Sequence, residues 1–334
     1  MSHLTCDDSS TYLDTADFLI LSFHIITIIE IPIHLIAFYV IIAKTPESMR
    51  SVKWAMFNLH FWSSNLDLSI SCFTMPFVFF PSASGYGFGV LSWLQVDLGV
   101  QTVFVIAGIG MCTNSIIVLF ENRYTIINNS SDFASRSRKA IIGMFYLFSA
   151  TFLLPFAAMV PDQDLAVQLV LETLPDIRCY YDGPFFVFTL DATVIAIITI
   201  MKMIVEFGTL LTLVSLTAHT IYRQKSTSTV SQVTANLQKK FFIAIIIQTT
   251  IPVVIVMVPF LIGISALIFG LHSQARINFC FLVASCHGGL SAIAMLLIHE
   301  PYRNAVLPFL GSRGSRSPEE GSGVFSTRNS INPV

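Results

Sequence analysis

Val118-Leu119-Phe120-Glu121-Asn122-Arg123-Tyr124 is the stretch on which the reading of this chain turns, because an apolar run ends there and a polar, basic one begins. Residues 96–120 carry no formal charge except Asp97 at the far end. That is the length of apolar chain a helix needs to cross a bilayer. Glu121 and Arg123 then arrive together, followed by Asn128, Asn129, Ser130, Ser131 and a basic cluster at Arg136, Arg138 and Lys139. An acid and an arginine at the mouth of a helix can pair with each other or with neighbouring helices, and arginine suits such a place because its guanidinium stays charged and offers a fixed fork of donors. The plainer alternative is an arginine that snorkels to the headgroups as an anchor.

Composition sets the class. The chain of 334 residues is 54% hydrophobic and 11% charged with mean hydropathy +0.73, more apolar surface than a soluble domain of that size buries. A net charge of -2 gives no basic signature for nucleic acid. The six cysteines show no metal-ligand spacing, and four of them (Cys72, Cys112, Cys280, Cys286) lie in apolar runs where Cys behaves as a small hydrophobe. The acidic start of the chain has no basic n-region, so no cleavable signal peptide is expected and the first apolar segment serves as the insertion signal. No cofactor, no metal and no catalytic constellation are called for, and nothing supports an enzyme.

Working outward from the opening stretch, the apolar pattern predicts an all-α membrane protein, a bundle of seven spans at residues 18–42, 54–80, 96–120, 140–160, from near 195 to 222, 241–269 and 277–298. Residues 1–17 form a short acidic N-terminus, 18–310 the membrane domain and 311–334, rich in Ser, Gly and Arg, a disordered tail. The segment 81–93 is expected as a Gly/Ser/Pro turn and 185–194 as loop, since an apolar helix from 185 to 222 would be far longer than the ~30 Å hydrocarbon core. Loops on one side hold fifteen lysines and arginines against two, Arg178 and Arg276, on the other, with Lys202 inside the fifth span. The positive-inside rule then puts the N-terminus outside and the C-terminus in the cytosol. Asn128 and Asn129, which match the glycosylation pattern, fall in the cytosol, where it has no meaning.

Several stretches carry a resemblance: Lys44-Thr45-Pro46, Val52-Lys53-Trp54, Asn58-Leu59-His60, Phe120-Glu121-Asn122-Arg123-Tyr124, Pro161-Asp162-Gln163, Leu237-Gln238-Lys239-Lys240, His287-Gly288 and His299-Glu300-Pro301-Tyr302-Arg303. In that order and spacing, from about Tyr12 to Arg303, the chain resembles the nematode serpentine chemoreceptors of class H. The resemblance implies a G-protein-coupled receptor in the plasma membrane of chemosensory neurons, at the sensory cilium, that detects an environmental or pheromonal small molecule and signals to a heterotrimeric G protein. Residues at the inner ends of the helices (Glu121, Asn122, Arg123, Tyr124, Arg138, Lys239, Lys240, Pro301, Tyr302, Arg303) would form the switch and the coupling surface. Two motifs depart from the rhodopsin-like pattern. Asn122 stands between the acid and the arginine, and Pro301-Tyr302-Arg303 replaces the Asn-Pro-x-x-Tyr of helix seven. The seventh span has no lysine, so a retinal Schiff base is excluded there.

Polar side chains inside spans are costly unless they face the bundle, and they mark the remaining chemistry. Glu30 and His34 share a face of the first span and Lys202 and Glu206 a face of the fifth, each pair four residues apart. Asp67 lies fourteen residues beyond Lys53 and His287 fourteen before Pro301. Both are thus ~21 Å from the cytoplasmic ends, where they can meet. Structural hydrogen bonding between helices is the favoured reading of Glu30, His34, Asp67, Asn114 and His287, ahead of a functional role. Lys202 and Glu206 are the ligand-binding candidates, in the outer half of the bundle. Cys6 and Cys179 lie in regions assigned outside, where they stand as a disulfide or as two free thiols. A seven-helix ligand-gated channel or small-solute transporter is the alternative function. The charge bias argues against an inverted channel, and the absence of an internal repeat or paired broken helices argues against the transporter.

Overall fold

The computed structural model of the protein describes residues 11–80, 82–128, 132–173, 183, 185–226, 231–269 and 273–307. Cys6, Cys179 and the tail expected at 311–334 lie outside them.

Six described helices are long and apolar enough to cross a membrane: Ala16–Ala43, Leu98–Asn128, Arg136–Ala157, Thr193–Gln224, Gln232–Gly263 and Gln274–Ile298. They correspond to the first and the third to seventh expected spans. The second is the helix Arg50–Leu68, continued by a π-turn over Ser69–Thr74. Its sequence is too polar to qualify by hydropathy, and packing supplies the reason. His60, Ser63, Ser64 and Asp67 are all buried, because this helix sits against the first, third and seventh spans and shows little of itself to lipid. The first span, by contrast, exposes Ile25, Ile28, Leu35 and Tyr39 along its outer face.

Boundaries move in physically simple ways. The second span stops at Thr74, short of the expected 80, because Met75 takes a left-handed conformation (φ 42°) and Pro76 follows. The third runs to Asn128, two turns past Phe120, so Glu121 and Arg123 sit inside a helix and not at its mouth. The sixth begins at Gln232, which places Lys239 and Lys240 on its early turns. The fifth begins at Thr193, within two residues of the expected start. The seventh is broken at Cys286 into Gln274–Ser285 and His287–Ile298, and a short helix Glu300–Val306 with Pro301 in its first turn follows.

The expectation of a purely helical chain is corrected at the end of the bundle remote from Arg123. There β1 (Pro76–Phe79), β2 (Ala83–Gly87) and β3 (Phe186–Thr189) form an antiparallel sheet in that order. Pro76 faces Gly87 and Phe79 faces Ser84, so the segment expected as a turn over 81–93 supplies the second strand of a hairpin and then a helical turn at Val90–Trp93. Gly85 is required in it, since a Cβ there would lie 2.4 Å from the Phe77 carbonyl oxygen. Gln163 clasps β3 with its amide, donating to Val187 O at 3.1 Å and accepting from Val187 N at 3.0 Å. At the same end Gln274 donates to Val78 O and Asp14 accepts from the Ala275 amide, which ties the start of the seventh span to the sheet and to the N-terminal turn.

Two apolar cores follow. One, near the sheet, packs Leu19, Phe23, Ile70, Phe77, Phe79 and Val187. The other, toward Arg123, packs Ile41, Met56, Leu59, Ile117, Phe120, Ile245 and Tyr302. Among the described residues, three groups of polar side chains in the spans concern the site.

Candidate functional site

The Arg123 end holds the first group. Glu121 is buried, and its Oε1 accepts from Thr125 Oγ1 at 2.6 Å and from Arg138 Nε at 3.2 Å. Its salt-bridge partner is thus Arg138, early in the fourth span, and not Arg123. The guanidinium of Arg138 also donates to Thr125 Oγ1 and lies 5.1 Å from the Tyr124 ring. The physical reason is direction: residues two apart on a helix point about 200° apart, so Glu121 and Arg123 face different neighbours.

Arg123 turns instead to the sixth span, where its guanidinium carbon lies 3.8 Å from the centre of the Phe241 ring. Its Nε is buried without a hydrogen-bond partner, so the cation–π contact is its main anchor among the described residues. Phe241 in turn packs 5.1 Å from the His299 ring, and His299 lies 5.7 Å from Tyr302. His299 Nε2 shares a hydrogen bond with Gln248 Oε1 at 3.2 Å. Burial, with the Arg123 charge adding to it, pushes the His299 imidazole down to about 4. Tyr302 is fully buried, with its hydroxyl 2.9 Å from Thr45 Oγ1. Arg123, Phe241, His299 and Tyr302 therefore form one chain of contacts that joins the third and sixth spans to the end of the seventh and, through Thr45, to the end of the first. Lys239 and Lys240 are exposed beside it, Arg303 bonds back to Leu297 O, and Asn122 leaves its Oδ1 buried without a partner.

The second group is the fifth-span pair. Lys202 Nζ lies 2.7 Å from Glu206 Oε1, the pairing the four-residue spacing predicts. Both side chains are buried, and Glu206 also accepts from Ser149 Oγ at 3.4 Å, which in turn accepts from Asn114 Nδ2 at 3.0 Å. The pair therefore faces the third and fourth spans. An open groove of about 510 Å³ runs past Tyr124, Arg138, Ile204, Gly208 and Thr212, and a smaller one of about 220 Å³ lies among His24, Thr27, Cys72 and Trp93. Neither is lined by Lys202 or Glu206.

The third group lies at mid-depth between the first, second and seventh spans. Asp67 is fully buried, and its Oδ1 is 2.5 Å from His287 Nδ1, the contact that matching depths predict. The break at Cys286 frees the first amides of the following half-helix, and Asp67 accepts two of them, from Gly288 at 3.1 Å and Gly289 at 2.8 Å. Glu30 and His34 both face this group, as their shared helix face implies, but they do not bond to each other. His34 Nε2 points at Asp67 Oδ2 across 3.4 Å instead. His60 lies beside it, its Nε2 3.2 Å from the His34 carbonyl oxygen, and Cys112 Sγ is 3.7 Å from His287 Nε2.

Sequence reasoning missed Phe241, Gln248, His299 and Gln163 as working residues. His299 and Gln163 lay within quoted motifs, whereas Phe241 is one of twenty-nine phenylalanines and carries no signal of its own.

Apolar helices whose ionisable side chains are turned inward and cross-linked span to span define an integral, multi-pass helical membrane protein. Comparison with known proteins names the kind. The chain belongs to the family of serpentine type 7TM GPCR chemoreceptors, Srh, whose model matches residues 14–312. It is similar to Serpentine receptor class H-72 of Caenorhabditis elegans, 26% identical over 305 residues that cover 89% of this chain and 87% of that protein. Over a shorter stretch of 92 residues, 28% of this chain and 27% of the relative, it is 30% identical to Serpentine receptor class r-10 of Caenorhabditis briggsae. The resemblance noted in the sequence is thereby shown, and the family is one of receptors, not of enzymes.

Proposed function

We propose that this chemoreceptor binds a small molecule from outside the cell and passes the signal to a heterotrimeric G protein at the Arg123 end. The observation that carries the reading is the chain from Arg123 through Phe241 to His299 and Tyr302, because it joins four spans through a contact that can open without leaving a carboxylate unpaired. Two discrete arrangements of such a junction, biased by a ligand at the far end, are what receptor switching requires. Parting the sixth span from the third would expose Arg123 to a G protein, with Lys239, Lys240 and Arg138 as a basic rim. Lys202 and Glu206 are the polar pair for which a ligand would compete. The fifteen-to-two bias of basic residues supports an N-terminus outside the plasma membrane of a sensory cilium and a cytoplasmic tail at 311–334. A Cys6–Cys179 bridge would tether the N-terminus over the ligand's way in.

The test is G-protein activation in a heterologous cell challenged with a panel of odorants, comparing the wild type with Arg123→Ala at matched surface level. Ligand-dependent activation lost in Arg123→Ala supports the reading. A current that needs no G protein overturns it in favour of a channel. An epitope at residue 2 should be stained on intact cells and one at residue 334 only after permeabilisation.

A further inference from the structure

The mid-depth group contains more ligating capacity than its hydrogen bonds use. Glu30 is 4% exposed and its Oε2 has no hydrogen-bond partner, while His34, 3% exposed, leaves Nδ1 without one and has only the 3.4 Å approach of Nε2 to Asp67. One donor atom from each of Glu30, His34 and Asp67 lies within 4.8 Å of the others. The backbone is shaped to leave them room. A Cβ on Gly289 would come within 2.7 Å of Glu30 Oε1, and one on Gly288 within 2.5 Å of Asp67 Oδ2. Orphaned polar atoms in an apolar interior are costly, each by about 1–3 kcal/mol.

We propose that Glu30, His34 and Asp67 form a binding site for a divalent transition-metal ion of the zinc class, joining the first and second spans against the glycine pair of the seventh. One imidazole nitrogen and two carboxylate oxygens are a donor set zinc takes, with a fourth position open to water. Calcium and magnesium demand six or more oxygens and do not favour imidazole. Tetrahedral zinc with bonds near 2.1 Å sets its ligand atoms about 3.4 Å apart. His34 Nε2 and Asp67 Oδ2 already stand at 3.4 Å. The remaining approach is a rotamer adjustment of Glu30, whose Oε2 nothing else holds. The Asp67 oxygens keep lone pairs beyond those given to the two glycine amides. The site is independent of the signalling reading, since it concerns metal binding by the folded protein in any functional class.

The test uses the full-length protein in lipid nanodiscs, stripped with chelator and titrated with Zn²⁺ or Co²⁺. Expected are one ion per chain, a rise in the thermal midpoint with Zn²⁺, and the intense visible absorption of tetrahedral Co²⁺. Glu30→Gln, which keeps the shape of the side chain, should weaken Zn²⁺ at least ten-fold and abolish the Co²⁺ band. Gly289→Ala removes no ligand and should have the same effect by displacing Glu30. His24→Ala and His219→Ala remove exposed histidines and should change neither. No metal-dependent shift in the wild type, as a protonated Glu30 bridged by water would give, overturns the proposal. So does a Zn²⁺ shift that survives in both Glu30→Gln and Gly289→Ala, or an equal shift from Na⁺ or Ca²⁺.

Discussion

The guanidinium of Arg123 rests 3.8 Å above the Phe241 ring, so the arginine of the third span is held by an aromatic face of the sixth and not by the acid two residues before it. A cation–π contact shielded from water contributes about 0.5–2 kcal/mol, enough to shift a two-state equilibrium about 2- to 30-fold. Phe241→Leu should therefore raise ligand-independent signalling within that range at matched surface level, while Phe241→Trp, with a stronger face, should hold it at or below the wild-type level. Unchanged basal activity in Phe241→Leu would remove Phe241 from the switch.

Glu121 restrains Arg138, and this changes what its removal should do. Glu121→Gln is expected to loosen the junction of the third and fourth spans without raising basal signalling. The pair is partly buried, with side-chain exposures of 6% and 23%, so its coupling should be about 1 kcal/mol, at the upper end for accessible ion pairs. Thermal midpoints of Glu121→Gln, Arg138→Gln and the double variant would form a double-mutant cycle. Additive losses would show that the 3.2 Å contact carries no coupling.

Asp67 has no substitute. It accepts from His287 Nδ1 and from two backbone amides, with 0% of its surface exposed. Asparagine at this position turns an acceptor into a donor facing an N–H and removes the carboxylate that His287 Nδ1 pairs with. Breaking a buried pair in this way costs about 3–5 kcal/mol. Asp67→Asn should be retained inside the cell at low abundance, whereas Asn58→Ala, which removes only a half-buried bond to the Tyr146 hydroxyl, should still reach the surface.

How much of this was legible follows from how each feature is encoded. Apolar runs of membrane-spanning length locate the spans, and the pair Lys202–Glu206 follows from helical spacing alone. Asp67–His287 could be anticipated because counting residues from the helix ends gives depth. Spacing could not reveal which way a side chain turns, and so it left open whether Glu121 pairs with Arg123 or with a neighbouring helix, where its partner is Arg138, seventeen residues on. The helix end at Met75 depends on a single left-handed residue before a proline, inside a run that reads as apolar throughout. The strand Phe186–Thr189 is only four residues long and is recognisable chiefly by its partners, β2 and the amide of Gln163. The metal-capable group brings one residue from the second span to two from the first, so no linear spacing rule could find it.

Gln163 offers a local test of the sheet end. Its amide makes both bonds to the Val187 backbone, at 3.1 and 3.0 Å, and Val187 is buried. Gln163→Leu would leave a donor and an acceptor on β3 without partners, at about 1–3 kcal/mol. Hydrogen exchange at the Val187 amide should speed up by one to two orders of magnitude, with the amides of the third span unchanged. Equal exchange in both proteins would mean that the strand is held by β2 alone.

His299 makes the Arg123 end sensitive to acid, with a definite sign. Its pKa in the folded protein is pushed down to about 4 by burial and by the Arg123 charge, against an ordinary value of about 6.5. The unfolded chain therefore binds more protons than the folded one between those two values, and stability rises with pH across that window. The contribution of a neutral His299 is complete above pH ~6.5 and is lost as the pH falls toward 4. Protonation, at Nδ1, would place a second cation beside Arg123 while Nε2 goes on donating to Gln248 Oε1, so the junction with Arg123 is what loosens. Replacing His299 by Gln keeps a side chain that can bond Gln248 and removes the titration. The thermal midpoint of the wild type should fall more steeply than that of His299→Gln between pH 6.5 and 4.5, with the two curves parallel above pH 7. Because the other titrating groups are common to both proteins, the difference isolates His299. Parallel curves over the whole range would show that His299 titrates alike in the folded and unfolded chain, so that neither burial nor Arg123 acts on its proton.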